Sequence, residues 1–382
     1  MNENYIKIED AFVEKLSTEI KEKNDTNSLR IKRLLDYPDL SRQNNSPIKI
    51  ILDRILAMTR FNDFDVIEIP EVISVENNFD ILNTALDHPS RKKTDTYYLN
   101  DDYVLRTHTT AMWSFYLRHS KAIEKIKKDE DLKCLCYGKV YRKDEIDRSH
   151  FPVFHQIDGL YICKKEKKII GIEELNEVLI DIAKSIYGES VEYKISEDTF
   201  PFTDPSVEIA IKKDDDWLEV LGAGVVHEKV LENLNLDPKI YNGWAFGFGL
   251  ERLAMVKMNI PDIRIFWSDN ERVTSQFKDI ESQYKEVSKF PMTYRDISFI
   301  IDKDTDLKNY YEIVRDYAEN LIEEVSLIDK YENEEKLGAD KISYTFRITY
   351  RSHDRTLTNE EINKIQEKIR EKTSQELKAT LR

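Results

Sequence analysis

Apolar residues recur at helical spacing early in the chain, directly after Ser46-Pro47. A serine N-cap followed by proline in the first turn is a favoured helix start, so a helix is predicted here. Its apolar positions are Ile48, Ile51, Leu52, Ile55 and Met58. Residues 64–69 then alternate as a strand does, and Pro70 ends that strand because proline cannot donate to a β ladder. Residues 1–45 predict polar helix and linker, to which we assign no chemistry.

The middle of the chain is rich in strand-like runs. The predicted strands lie at residues 137–141, 154–163, 191–195, 207–211 and 217–221, with one helix near residues 173–187. Adjacent strands without regular crossover helices favour a mostly antiparallel sheet. The sequence has neither a Walker-type glycine loop nor a GxGxxG run after a strand, so a nucleotide would be bound in another way.

A second pattern begins at residue 290. Predicted strands and helices alternate in the order βαββαβ, at residues 296–301, 307–321, 325–331, 342–350, 359–372 and a short end strand. This order is the ferredoxin-like arrangement. We therefore predict an α+β protein in four segments: an N-terminal extension (1–45), an antiparallel sheet flanked by helices (46–267), a flexible linker (268–289) and a ferredoxin-like domain (290–382).

Composition narrows the class of protein. The chain is 40% apolar and 34% charged, which is typical of a soluble globular protein, and no apolar run approaches the roughly 20 residues of a membrane span. The N-terminus lacks the features of a secretory or transit peptide, so a cytoplasmic location is predicted. Three cysteines give no disulfide framework. A metal site at Cys134-x-Cys136 is disfavoured because no second Cys/His pair follows at zinc spacing.

The charge is unevenly distributed. The whole chain carries a net charge of −15, whereas residues 341–382 hold ten basic and six acidic residues. Because nucleic-acid phosphates are contacted by Lys and Arg, this basic tail is the predicted RNA-binding part. Arg347 and Arg351 lie on one face of the predicted strand 342–350. The alternative is a basic, solvated sheet edge.

Two segments carry the candidate chemistry. The first, GKVYRKDEIDRSHFPVFHQIDGLYI (residues 138–162), predicts a hairpin with Arg142 at one end and His150 in the loop. The second, WAFGFGLERLAM (residues 244–255), places glycines before a helix that contains Arg252, and glycines let a backbone approach a ligand closely. Each segment alone is weak evidence, since such hairpins and helix starts are common.

In chain order, Pro70, the YRKDE run around Arg142 and GFGLER resemble the three motifs of class II aminoacyl-tRNA synthetases. Six further runs are similar to phenylalanyl-tRNA synthetases: NFDILNTALDHPSRKKTDTYYL, LRTHTT, FHQIDG, FPFTDPSVEI, LEVLGAGVVHEKVL and PDIRIFW. The tail, with FPMTYRDISFII, LIDKY and RITYRSHDRTLT, resembles the ferredoxin-like anticodon-binding domain of the single-chain, mitochondrial-type enzymes. The resemblance covers Ser46 to the C-terminus.

The resemblance implies an ATP and Mg²⁺ site. It assigns the α-phosphate to Arg142, the two faces of adenine to Arg252 and Phe154, the outer phosphates to His150, the adenine edge to Asp144 and close backbone approach to Gly249. Glu219 is the candidate Mg²⁺ ligand. Its alternative is a solvent-facing strand carboxylate.

The resemblance also implies a phenylalanine site. Phe200 and Phe202 would grip the substrate ring edge to face, with core packing as the alternative. The remaining candidates are Ala245 for pocket depth, Gly222, and His88, Ser90, Gln156 and Asp158 around the ammonium group. Asp158 and Asp204 stand where the family usually has Glu, and Ser46 stands where single-chain relatives tend to have His.

The implied reaction has two steps: phenylalanine and ATP give phenylalanyl-adenylate and pyrophosphate, and the terminal ribose of tRNA(Phe) then takes the phenylalanyl group. The candidate tRNA contacts are Arg347, Arg351, Arg355 and Lys378, and a monomer is expected by analogy. Two other classes stay open: an adenylating enzyme that passes the acyl group to something other than tRNA, and a catalytically silent RNA-binding module. The candidate residues Arg142, Gln156 and Arg252 argue against the second.

Overall fold

The computed structural model describes residues 4–144, 147–213, 215–305, 307–318, 321–352 and 355–382. Glu145 and Ile146 of the first candidate segment and His353 and Asp354 of the tail lie outside the described residues. The chain divides into two compact units, Met1–Tyr284 and Lys285–Arg382. In the part of the chain that is described, no helix has the length and apolar character to cross a membrane.

The first unit is built on an eight-stranded sheet with the order β1-β2-β5-β6-β10-β9-β8-β7. Its strands are β1 Tyr5–Lys7, β2 Asp65–Glu68, β5 Leu132–Tyr141, β6 Val153–Lys164, β7 Tyr193–Phe200, β8 Thr203–Lys213, β9 Asp216–Val226 and β10 Tyr241–Gly249, and a separate hairpin pairs β3 Val72–Ser74 with β4 Tyr103–Leu105. Strands β1, β2 and β5 pair in parallel and all other neighbours in the large sheet are antiparallel. The prediction of a mostly antiparallel sheet is confirmed.

Helices flank this sheet. They are α1 Ala11–Glu22, α2 Thr26–Leu35, α3 Pro47–Leu56, α4 Met112–Arg118, α5 Ser120–Lys127, α6 Ile172–Tyr187, α7 Glu228–Asn233, α8 Leu250–Met258 and α9 Glu271–Thr274. The predicted start of α3 is confirmed, since the Ser46 hydroxyl accepts the Ile48 N–H. Ile48, Ile51, Leu52 and Ile55 are buried along one stripe.

Two segments of the first unit differ from the prediction. Residues 1–45 were expected to be helix and linker without chemistry, but β1 is a strand of the main sheet. Residues 268–284 were expected to be flexible linker, but Phe277 and Ile280 are buried there and Glu281 pairs with Arg54 at 2.8 Å. The structural boundary between the units therefore follows Tyr284.

The second unit has the predicted ferredoxin-like order. It consists of β11 Thr293–Asp302, α10 Lys308–Ala318, β12 Ile322–Tyr331, α11 Glu334–Leu337, β13 Lys341–Tyr350, α12 Asn359–Glu376 and β14 Thr380–Leu381, with the sheet order β12-β13-β11-β14. Its core joins alternate residues of β11 and β13, such as Phe299 and Phe346, to Ile362 of α12. The Thr358 hydroxyl caps α12 by accepting the Glu361 N–H, as the sequence predicted.

Candidate active site

The floor of the candidate site is formed by β6, β10 and β9. Because successive side chains of a strand point to opposite faces, Phe154, Gln156 and Asp158 of β6 share one face. On the neighbouring strand β10, Gly249 pairs with Gln156 of β6, and Gly247 pairs with Asp158. A β-carbon on Gly247 would lie 2.6 Å from Asp158 Oδ1, so only glycine leaves this carboxylate in place.

Two cavities of about 480 and 440 Å³ lie over this floor. The two cavities adjoin, because they share six lining residues: Arg142, Asp144, Gln156, Phe200, Gly222 and Gly247. Arg142 and Arg252 both line the second cavity. The two arginines, 110 positions apart in sequence, thus face one cleft.

Arg142 is held from two sides. Its Nε donates to the Thr107 carbonyl at 3.0 Å, and its guanidinium carbon lies 5.1 Å from the centre of the Phe154 ring. Thr107 is in turn fixed by Asn78, which accepts the Thr107 N–H at 3.1 Å and donates to its hydroxyl at 2.9 Å. Burial lowers the pKa of Arg142, but an arginine stays cationic in any protein environment.

The second cavity also contains the other residues predicted for ATP: Asp144, His150, Phe154 and Gly249. His150 is exposed, and its Nδ1 lies 2.8 Å from Asp147 Oδ2. Arg252, in the first turn of α8, donates from Nη1 to the Glu219 carbonyl at 3.2 Å. The cavity is therefore lined by two separate arginine cations, Arg142 and Arg252.

Three carboxylates line the strand side of this cavity: Asp198, Glu208 and Glu219. Burial, followed by the charges of Glu219 and Asp198, raises the pKa of Glu208. Within the described residues, no group of three or more His, Cys, Asp or Glu side chains has the geometry of a complete metal site. A cation held here would therefore need further oxygen ligands from the substrate.

Aromatic rings form the wall of the first cavity. Phe200 and Phe202 stack with centroids 5.9 Å apart, and Trp113 meets Phe202 edge to face, also at 5.9 Å. Ala245 lies in the lining, and a β-carbon on Gly222 would meet the Phe200 ring at 2.8 Å. Phe200 and Phe202 both line the cavity, and Phe202 also packs against the hydrophobic core of the first unit.

Asp158 marks the polar end of the first cavity. Its carboxylate accepts hydrogen bonds from the Thr109 and Thr110 hydroxyls, the latter at 2.5 Å. Burial raises the pKa of Asp158 to about 6, although the two hydroxyls and Arg142 act in the opposite direction. Gln156 lies beside it, and its Oε1 is buried with no hydrogen-bond partner in the described part of the protein.

His88 and Ser90 line the same cavity but bond to each other, with Nδ1 and Oγ 2.7 Å apart. Four residues of this site had no predicted role: Thr109 and Thr110, which bond Asp158, and His108 and Trp113, which line the same cavity. Burial lowers the pKa of His108 to about 3, so its ring is neutral at pH 7. The run LRTHTT, which is similar to phenylalanyl-tRNA synthetases, contains His108, Thr109 and Thr110, but the resemblance assigned them no role.

The back of the floor ties the two candidate segments together. His155 points away from the cavities, and Glu251 of α8 accepts both its N–H and its Nδ1–H, at 2.9 and 2.6 Å. The Leu40 N–H donates to His155 Nε2 at 2.9 Å. Residues 39–40, to which no chemistry was assigned, therefore support the strand that carries Gln156.

The predicted tRNA residues of the second unit differ in availability. Arg347 pairs with Asp296 at 2.8 Å and covers the Tyr294 ring at 4.1 Å, on the sheet face opposite the helices. Arg351 is 13% exposed and pairs with Glu323, so it is an internal anchor rather than a free contact. Arg355 pairs with Glu361 through two nitrogens, and Lys378 is exposed.

Comparisons with known proteins match both units. Residues 33–277 match the tRNA synthetases class II core domain (F), and residues 288–382 match the ferredoxin-fold anticodon binding domain. The chain is 39% identical to the chloroplastic/mitochondrial phenylalanine–tRNA ligase of Arabidopsis thaliana, over 90% of this chain and 80% of the relative. It is 34% identical to the mitochondrial enzyme of Mus musculus (87% and 80%) and 32% identical to that of Saccharomyces cerevisiae (84% and 83%).

Proposed function

The chain belongs to the phenylalanine–tRNA ligase family of class II tRNA synthetases, and on that premise we propose how its residues carry out the reaction. The enzyme joins phenylalanine to tRNA(Phe), through phenylalanyl-adenylate. One observation carries the assignment of roles: Arg142 and Arg252 face one cavity, which adjoins a cavity walled by Phe200 and Phe202.

ATP occupies the second cavity. Adenine lies between the Phe154 ring and the Arg252 guanidinium, and Arg142 binds the α-phosphate at the junction of the two cavities. The phenylalanine carboxylate attacks this phosphorus, and Arg142 stabilises the charge that develops there. Since phosphoryl chemistry of this kind depends on positioning and charge, the Thr107 carbonyl and the Phe154 ring, which fix Arg142, contribute directly to rate. His150 reaches the outer phosphates.

Mg²⁺ fits beside these phosphates. Glu208 and Glu219 lie on adjacent strands, and burial, with a further contribution from the charge of Glu219, raises the pKa of Glu208. Mg²⁺ commonly binds one or two carboxylates together with substrate phosphates, which suits this incomplete set. When bound, the ion neutralises phosphate charge. Glu219 was predicted for this role, and we add Glu208.

Phenylalanine occupies the first cavity with its ring against Phe200 and Phe202. Ala245 limits the depth of the pocket, and Gly222 leaves room for the Phe200 ring. The α-ammonium lies toward Asp158 and Gln156. With a pKa of about 6, Asp158 is mostly ionised at pH 7 and attracts this group. His88 and Ser90 lie farther along the wall of the same cavity.

In the second step, a hydroxyl of the terminal ribose of tRNA(Phe) attacks the carbonyl carbon of the adenylate, an ester forms, and AMP leaves. Resemblance to the family points to the 2′-hydroxyl. The second unit binds the anticodon, and its exposed sheet face presents Tyr294 and Arg347 as stacking and cationic groups. The core and the anticodon-binding unit are in one chain, so we propose a monomer, which light scattering after gel filtration tests.

The direct test is pyrophosphate exchange and aminoacylation with phenylalanine, tyrosine and tryptophan. Arg142→Ala should lower exchange about a hundred- to a thousandfold, as the loss of a transition-state charge partner does elsewhere. The matched control is Arg60→Ala, because Arg60 pairs with Asp181 at 2.6 Å and lines neither cavity. Exchange without tRNA charging would instead indicate an acyl transfer to another acceptor. Neither activity would indicate a silent RNA-binding module.

The predicted cytoplasmic location is not supported. The three relatives are named as mitochondrial or chloroplastic proteins. We propose that this enzyme is likewise of the organellar type. Imaging of the tagged full-length protein in its own cells tests this, and an exclusively cytosolic signal would contradict it.

A further inference from the structure

Three cations without a role in the reaction described above lie near the loop of residues 93–98, which contributes Asp95 and Thr96 to the lining of the first cavity. Lys143 follows Arg142 and lines that cavity. Arg30 and Arg33 are exposed on α2 and line neither cavity. We call Arg30, Arg33 and Lys143 the rim cations.

Hydrogen bonds fix α2, which carries Arg30 and Arg33, and the backbone of Lys143 to the loop of residues 93–98. On one side, Asn27 of α2 donates from Nδ2 to the Tyr98 carbonyl at 2.9 Å. On the other, the Lys143 N–H donates to the Asp95 carbonyl at 2.8 Å, and its ammonium lies 5.1 Å from the Tyr97 ring. Tyr97 is buried in the cluster that α2 joins through Ile31 and Leu34. The loop thus holds α2 next to the mouth of the site.

The charges of Arg30 and Arg33 are not neutralised within the described protein. Neither forms an ion pair with a carboxylate there, whereas other arginines of the same unit do, such as Arg54 with Glu281 at 2.8 Å. Burial and then the positive charge of Arg30 lower the pKa of Lys143, so the rim cations repel one another, with Asp95 as a partial counter-charge. In a chain of net charge −15, a cluster of this kind suits a polyanionic partner.

We propose that the rim cations bind the phosphate backbone of the tRNA acceptor arm as its 3′ end enters the first cavity. This rests on the proposed function. The second substrate must bring its terminal ribose to the junction of the two cavities, and these cations lie beside a loop that lines the first cavity. ATP is a poorer occupant, because its phosphates lie along the second cavity, which Arg30 and Arg33 do not line. Backbone contacts of this type supply affinity without reading sequence.

The test compares two double variants of the full chain. Arg30→Ala/Arg33→Ala removes two rim cations, and the control Lys127→Ala/Lys128→Ala removes two exposed charges at the end of α5, away from both cavities. For the rim variant, the KM for tRNA should rise about tenfold, as expected for two exposed ion pairs. The slope of log KM against log salt should fall by about two. Pyrophosphate exchange measured without tRNA should stay at the wild-type rate.

Each other outcome has a defined meaning. An unchanged KM for tRNA, or an equal rise in the control, would overturn the proposal. A loss of exchange in the rim variant would also overturn it, because the cations would then act on ATP or on folding. If the wild-type protein performs exchange but never charges tRNA, the proposed function fails instead, so the two failures are distinguishable.

Discussion

Asn78→Ala should impair catalysis although Asn78 lines neither cavity. Asn78 is fully buried and bonds the Thr107 N–H and hydroxyl, and the Thr107 carbonyl then accepts from Arg142 Nε. The structure thus makes Asn78 a positioning residue for the α-phosphate arginine. It lies in a short π-helix, Glu76–Asp80, a feature frequent at functional sites.

The expected losses of stability and of reaction rate follow from these contacts. The two lost hydrogen bonds contribute about 1–3 kcal/mol together, and a buried donor left unsatisfied adds about 1–3 kcal/mol, so stability should fall by about 2–6 kcal/mol. If Thr107 moves and Arg142 shifts by about 1 Å, the rate should fall about a hundredfold. The loss should appear in the kcat of pyrophosphate exchange more than in the KM for phenylalanine, because Arg142 acts on the developing charge.

The control is Asn242→Ala. Asn242 is also buried and also bonds the backbone, accepting the Ile170 N–H at 2.6 Å and donating to the Lys168 carbonyl at 3.0 Å, but it lines neither cavity. Urea unfolding should show similar losses in both variants, with exchange kinetics changed only in Asn78→Ala. If both variants lose kcat equally, or if Asn78→Ala keeps it, the positioning argument is wrong.

Three further predictions concern charge and specificity. As the pH falls through about 6, Asp158 is protonated and no longer attracts the ammonium group, so kcat/KM for phenylalanine should fall about tenfold per pH unit; Asp158→Asn should give a flat profile. Tyrosine should be activated about a hundredfold less efficiently than phenylalanine, because a hydrophobic pocket rejects an added hydroxyl weakly; pyrophosphate exchange with tyrosine at background level would contradict this. Burial would raise the pKa of Asp65, but Lys121 and Lys125 lower it below its usual value. The stabilisation from this group is present above pH about 4 and is lost as pH falls further. Asp65→Asn should lose about 3–5 kcal/mol at pH 7 and flatten that acid limb in urea titrations.

The strands were predictable because they rest on local patterns, whereas the meeting of Arg142 and Arg252 at one cleft was implied by the family resemblance. A period of two in β6 puts Phe154, Gln156 and Asp158 on one face whatever the rest of the chain does. The glycines of β10 mark where a backbone must lie close to its neighbours, and the structure shows Asp158 filling the space beside Gly247.

The residues around Asp158 were not predictable from local patterns. Two runs, DHPSR and RTHTT, each offer a histidine near a hydroxyl, and the sequence gives no local reason to choose between them. Only the tertiary structure brings Thr109 and Thr110 to the Asp158 carboxylate. The same holds for residues 39–40, whose contact with His155 joins positions 115 apart.

The linker was misjudged for a different reason. Val273, Phe277 and Ile280 recur at the helical spacing i, i+4 and i+7, a signal that the linker prediction did not use, and all three are buried. Only Glu271–Thr274 forms a helix there. The rest of the segment docks through apolar side chains and through ion pairs of Glu281 with Arg54 and Lys257.

Strand β6 explains why the site tolerates an aspartate at position 158. On one face of β6, Asp158 is met by hydroxyls from the segment after β4, so the acceptors of a short carboxylate are satisfied where it stands. On the other face, Glu251 and Leu40 fix His155 and with it the position of β6. The shorter side chain therefore keeps its charge at the cavity wall instead of reaching into the cavity. The attraction between the Asp158 carboxylate and the ammonium group of phenylalanine then acts over a longer distance. The change of phenylalanine affinity with pH should therefore reveal this attraction more directly than the affinity at a single pH.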